Sequence, residues 1–187
     1  MKFPLRNLLA KRVVCSSVAV VGFLVVATGP YLFWYADRTR IPADEKFDLQ
    51  FGRGSGWHGL DLLRITSDGR AEYEYQADHG EWRRKTFVVP EHQLTKLRQE
   101  ITELNPWGMD RAYHRNVADG TQWCFLVRID GKSKSVYFDN NFPNAIRRFA
   151  DVIDQTVLVP FADPVEAEVV PQRHHRKHEK EIWASIR

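Results

Sequence analysis

The sequence predicts an α+β protein: an N-terminal transmembrane helix, then an antiparallel sheet of about five strands with two helices packed on one face. Three observations carry this. Residues 13–36 contain no charged side chain. Two β-hairpins are centred on Ser67-Asp68-Gly69 and Asp130-Gly131-Lys132, and two windows further along repeat apolar residues at helical spacing.

The uncharged run holds 24 residues, Val13 to Ala36. As a helix it would reach about 36 Å, enough to cross a hydrocarbon core of ~30 Å. Its far end carries Tyr31, Phe33, Trp34 and Tyr35, ring types favoured at the membrane–water interface, and Pro30 sits where a kink is cheap. Lys2, Arg6, Lys11 and Arg12 precede it without an acid, whereas Arg38 and Arg40 are offset by Asp37, Asp44 and Glu45. The positive-inside rule then leaves the N-terminus cytoplasmic and the rest extracytoplasmic. The other reading is a cleaved secretory signal, with Val13 to Ala27 as its apolar region and Ala27-Thr28-Gly29 as the cut; Pro30 and the aromatic continuation argue against it. The expected organisation is a cytoplasmic basic segment (1–12), the membrane helix (13–36), a linker (37–46), one extracytoplasmic domain (47–160) and a polar, mobile tail (161–187).

Within the domain, Phe47, Leu49 and Phe51 alternate as one face of a strand. Leu60 to Thr66 and Arg70 to Gln76 flank a turn in which Gly69 supplies positive φ, and Arg83 to Val89 completes a meander whose Arg83-Arg84-Lys85 reads as an exposed strand edge. Pro90 opens a helix with Leu94, Leu97, Ile101 and Leu104 on its buried stripe, ended by Asn105-Pro106-Trp107-Gly108. A loop from Met109 to Gly120 leads to the second hairpin, Thr121 to Ile129 and Ser133 to Asp139. A second helix, to about Val157, buries Ile146, Phe149, Ile153 and Val157.

The formal net charge is +3, but residues 41–160 carry 16 Lys plus Arg against 18 Asp plus Glu. A domain of net charge −2 with interspersed signs does not suit a nucleic-acid backbone. The chain's two cysteines, Cys15 in the apolar run and Cys124 in the domain, are not expected to pair.

The succession Leu62-Leu63-Arg64-Ile65, Asp68 to Tyr73, Leu94 to Leu104, Asp119-Gly120, Val127 to Lys132 and Phe142-Pro143 resembles a family of uncharacterised bacterial cell-envelope α+β domains over residues 47–157. Members often carry cysteines before the first hairpin strand, where this chain has Gly54-Ser55-Gly56-Trp57-His58-Gly59. The resemblance implies no established enzymatic activity, and the residues themselves lead to no expected cofactor.

The residues that could carry chemistry are few. Gly54, Gly56 and Gly59 match GxGxxG, but a hairpin and not a helix follows, so a phosphate-binding turn is not expected. His174, His175 and His178 have helical metal-ligand spacing, yet flanking Arg and Lys repel a cation, and no metal is expected. Cys124, on a strand apolar on both sides, reads as packing. His114 and Asp119, with Arg111 or Arg115 as anion holder, are the candidates for acid–base work by a hydrolase. Trp57, Trp107 and Tyr113 are the candidate aromatic contacts for a ligand or partner. Three roles stay open: a non-enzymatic module binding an envelope protein, an envelope hydrolase using the 110–122 loop, and a structural subunit of a membrane assembly.

Overall fold

The computed structural model describes residues 41–186 apart from 43, 56–57, 116 and 118–119. The run 13–36 lies outside them, and no helix among the described residues is long and apolar enough to cross a membrane.

Eight strands form one sheet in the order β5-β7-β6-β1-β2-β3-β4-β8. They are β1 (Phe47–Ser55), β2 (Gly59–Thr66), β3 (Arg70–Gln76), β4 (Trp82–Val88), β5 (Ala112–His114), β6 (Thr121–Ile129), β7 (Lys132–Asp139) and β8 (Glu168–Val169). Both expected hairpins form. Gly69 takes φ 85°, and Asp130 and Gly131 take φ 47° and 72°, two consecutive left-handed residues that suit a tight hairpin. Helix α1 (Glu91–Leu104) turns Leu94, Leu97, Ile101 and Leu104 inward and stops where Asn105 goes left-handed. Helix α2 (Asn144–Ile153) buries Ile146, Phe149 and Ile153, then continues as a π-helical segment, Asp154–Ala162. These elements cover the face built from Leu49, Phe51, Leu63, Ile65, Phe125, Val127, Val136 and Phe138.

The architecture departs from the five-stranded antiparallel sheet with both helices on one face. The sheet has eight strands and is mixed, because β5, inside the expected loop, lies parallel to β7. A three-residue strand carries too little alternation to be seen in sequence. Arg83 and Arg84 are not an exposed edge, since β8 pairs with both. The expected polar tail instead folds onto the domain: helix α3 (Gln172–Ile186) lies on the opposite face of the sheet, with His175 and Ile182 buried. One compact unit runs from Ile41 to Arg187, past the expected boundary at 160. A tail rich in Arg, His and Lys looks solvated in sequence because its anchor, Glu74, is about a hundred residues away in the chain.

Under α3 lies a second, smaller core of Leu60, Leu62, Cys124 and Ile182, edged by Leu126, Trp183 and Ile186. Gly52 makes the close approach there possible: a Cβ at that position would sit 2.5 Å from Cys124 Sγ and 2.9 Å from a Leu62 methyl. Gly52→Ala should therefore cost about 1–3 kcal/mol by overpacking, read from urea unfolding. Adding Cys124→Ala should recover part of that loss, and additive costs in the double variant would refute the contact.

Candidate functional site

Strand alternation sends Asp48, Gln50 and Gly52 of β1 to the face that carries α3. They are joined there by Arg64 of β2, Glu72 and Glu74 of β3, and Leu126 and Arg128 of β6, as the strand registers require. Helix α3 crosses part of this face and leaves the rest open. The result is two adjoining concavities that share Arg64, Glu72 and Arg128. One, of about 800 Å³, reaches the turns at Asp68 and Asp130. The other, about 300 Å³, runs along α3 beside His178, Glu181, Ile182 and Ser185 over a floor of Gln50, Leu62 and Leu126.

The floor of the larger basin is a ladder of alternating charge. Glu72 opposes Arg64, Arg64 Nη2 donates to Asp48 Oδ2 at 2.7 Å, and Asp48 opposes Arg128, across four neighbouring strands. Of these four side chains only Arg64 and Asp48 form an ion pair among the described residues, but the alternation of sign keeps the basin from concentrating one charge. The groove along α3 differs. Among the described residues, the side chains of Gln50, Glu72 and Arg128 have no intramolecular hydrogen bond or ion pair, and Glu181 has only Lys177 at 4.0 Å. Directional donors and acceptors thus stand next to the apolar Leu62, Leu126 and Ile182, the mixture that binding grooves use.

One wall of the groove is fixed by a buried carboxylate. Glu74 Oε2 lies 3.0 Å from His175 Nδ1, and Oε1 lies 3.1 Å from His178 Nδ1 and accepts from Arg84 Nε at 2.9 Å. An ionised carboxylate only accepts, so both imidazoles present an Nδ1–H to it. His175 is then held flat on Trp82, ring centroids 3.3 Å apart, with its Nε2 buried and, among the described residues, without a partner. Burial pushes the Glu74 carboxyl up, but hydrogen bonds from His175 and Arg84 and the charges of His178 and Arg84 outweigh it and hold it at about 2. On the other face of the sheet Arg53 donates to both oxygens of Asp154, tying the π-helical segment to β1, and burial raises the Asp61 carboxyl even though Gln76 N donates to it.

The candidate catalytic residues lie elsewhere. Arg111, His114 and Arg115 flank or form β5 at the sheet edge, where Arg111 O accepts from Tyr137 N and Arg115 N donates to Asp139 O. All three side chains are exposed. His114 Nδ1 stands 3.7 Å from Asp139 Oδ2, beyond hydrogen-bond reach, and its ring meets Tyr137 edge-on. None of the three lines either concavity described above. Asp119 and Trp57 fall outside the described residues. Trp107 is 46% exposed on the turn after α1, and Tyr113 stacks on Phe138 at the rim of the main core.

Sequence reasoning did not single out Glu74, Arg84, Gln50, Arg64, Arg128 or Glu181. In Arg70-Ala71-Glu72-Tyr73-Glu74-Tyr75 the alternation says that Glu72 and Glu74 share a face, but not that a distant helix covers only one of them. Cys124 is where the apolar pattern put it, fully buried, and burial pushes its thiol up to about 12. Native protein at pH 8 should leave the Cys124 peptide unalkylated by iodoacetamide, and unfolding should release it, as mass spectrometry would show. Prompt native labelling would contradict that burial.

The chain matches no protein-family model and no curated protein.

Proposed function

We propose that the protein is a single-pass, membrane-anchored envelope protein, held by residues 13–36 with its N-terminus cytoplasmic. In this reading its extracytoplasmic domain is a non-enzymatic module that takes a segment of an envelope protein partner into the groove along α3. The anchor rests on the uncharged run and its flanking charges, and the resemblance of residues 47–157 to envelope domains points to the same compartment. The binding role rests on one observation: Gln50, Glu72 and Arg128 line the groove beside the apolar Leu62, Leu126 and Ile182 with no side-chain hydrogen bond or ion pair among the described residues. A polypeptide offers both amide groups and apolar side chains to such a surface.

The test is site-directed photocrosslinking of the full-length protein in its own membranes. Probe residues at Gln50 and Glu181, which line the groove, should give a discrete adduct that a probe at the exposed Lys96, on α1, does not give. Arg128→Glu should reduce that adduct severalfold. Equal labelling from Lys96, or an adduct indifferent to Arg128→Glu, would sink the assignment.

A further inference from the structure

We infer that the outward face of α3 is a second docking surface, fitted to an acidic helical segment of a partner protein. Arg173, Arg176, Lys177 and Lys180 are all exposed and follow one another at i, i+3, i+4 and i+7. They make one stripe about 10 Å long on a helix. The inner side of α3 is pinned by independent contacts: His175 and His178 on Glu74, Ile182 in the second core, and Ser185 O accepting from Ser135 Oγ at 2.9 Å. The stripe therefore points outward from a fixed helix.

A solvated helix face ordinarily intersperses opposite charges four residues apart. Here one such pair exists, Lys177 with Glu181 at 4.0 Å and both well exposed. The nearer Glu179 is turned to Trp183, whose Nε1 donates to it at 3.4 Å. Four cations on one stripe, three of them in no ion pair among the described residues, contrast with the net −2 of residues 41–160.

An anionic bilayer fits this face less well than an acidic protein segment does. A surface-lying helix needs apolar side chains beside its cations, and no exposed large hydrophobic residue belongs to α3. Its Ile182 is packed against the sheet, and Trp183 packs edge-on to Tyr137. Carboxylates spaced i, i+3, i+4 and i+7 on a partner helix would meet the four cations directly.

The experiment uses the full chain in nanodiscs of neutral phosphatidylcholine and a fluorescein-labelled helical peptide with glutamates at i, i+3, i+4 and i+7, followed by anisotropy. Binding should be present at 50 mM salt, weaken at least tenfold at 300 mM, and vanish for the same peptide with glutamines. Reversing the stripe (Arg173→Glu, Arg176→Glu, Lys177→Glu, Lys180→Glu) should abolish binding of the acidic peptide and confer binding of its lysine counterpart. If that variant does not fold, Arg176→Gln with Lys177→Gln, which keeps good helix formers, should weaken binding severalfold. No binding by the wild type overturns the inference. So does binding that survives charge reversal, or stronger binding to phosphatidylglycerol vesicles than to the acidic peptide.

Discussion

Glu74→Ala is expected to destabilise the domain by about 3–5 kcal/mol, the usual consequence of removing one member of a buried charge pair. Glu74 is 4% exposed and gathers donors from Arg84, His175 and His178. Without it, Glu168 at 3.6 Å, on the far side of β4, is the one ion-pair partner left to the guanidinium of Arg84 among the described residues. His175, 1% exposed and with no Nε2 partner among the described residues, then loses its Nδ1 partner as well. The loss should fall first on α3. Hydrogen exchange over 172–186 should quicken far more than over β1 and β6, because the helix is otherwise held by the small second core. Glu74→Gln keeps the volume and one acceptor and should cost less. A Glu74→Ala variant within about 1 kcal/mol of wild type by urea unfolding would mean that the cluster does not pin the helix.

The same residue gives a pH dependence of known sign. Its folded carboxyl sits at about 2 against 4.5 for the free group. Its contribution is therefore complete above about pH 4.5 and is lost as pH falls toward 2, up to about 3 kcal/mol. Asp61 works in the opposite direction, since burial raises its carboxyl and the stability it contributes in acid is lost as pH rises through that raised value. Glu74→Gln should flatten the acid limb of stability without touching the neutral plateau beyond the loss it causes there. An unchanged acid midpoint in that variant would assign the acid sensitivity to other carboxylates.

The parts of the fold that were legible in sequence are those specified by neighbours in the chain. Gly69 and the Asp130-Gly131 pair announced their hairpins through turn chemistry, and Leu94, Leu97, Ile101 and Leu104 announced their helix through period. The rest is specified across long separations. Helix α3 has an apolar side of little more than Ile182, Trp183 and Ile186, and it docks through His175 and His178 because Glu74 waits on a strand a hundred residues earlier. A charge-rich tail and a docked helix are the same string until that partner is known. The groove was illegible for the same reason: Gln50, Arg64 and Arg128 are ordinary solvent-facing strand residues until α3 raises a wall beside them. The loop candidates misled in the opposite way. His114, Arg111 and Arg115 are close in sequence, but the sheet edge uses the backbone around them and leaves their side chains in water.

Phe149→Ala should cost about 3–5 kcal/mol, and the reason ties the core to the groove. Phe149 is 2% exposed and meets two strand phenylalanines edge-on, Phe51 at 5.7 Å and Phe125 at 5.4 Å. Phe51 is packed in turn against Trp123. One ring on α2 therefore engages the two adjacent central strands, β1 and β6, whose alternate residues Gln50, Leu126 and Arg128 line the groove on the opposite face. Removing the ring deletes both edge contacts, each worth about 0.5–1.5 kcal/mol beyond area, and leaves a void that the surrounding aromatics cannot fill without leaving their rotamers. Phe149→Leu keeps most of the volume and should cost about half as much. The urea midpoint should fall in that order with the slope unchanged, since the loss lies in the folded state. Because the strands are shared, Phe149→Ala should also loosen adduct formation from the Gln50 probe at temperatures where the protein is still folded. A midpoint shift confined to α2, with β1 and β6 amides as protected as in wild type, would break the proposed link between the aromatic core and the binding face.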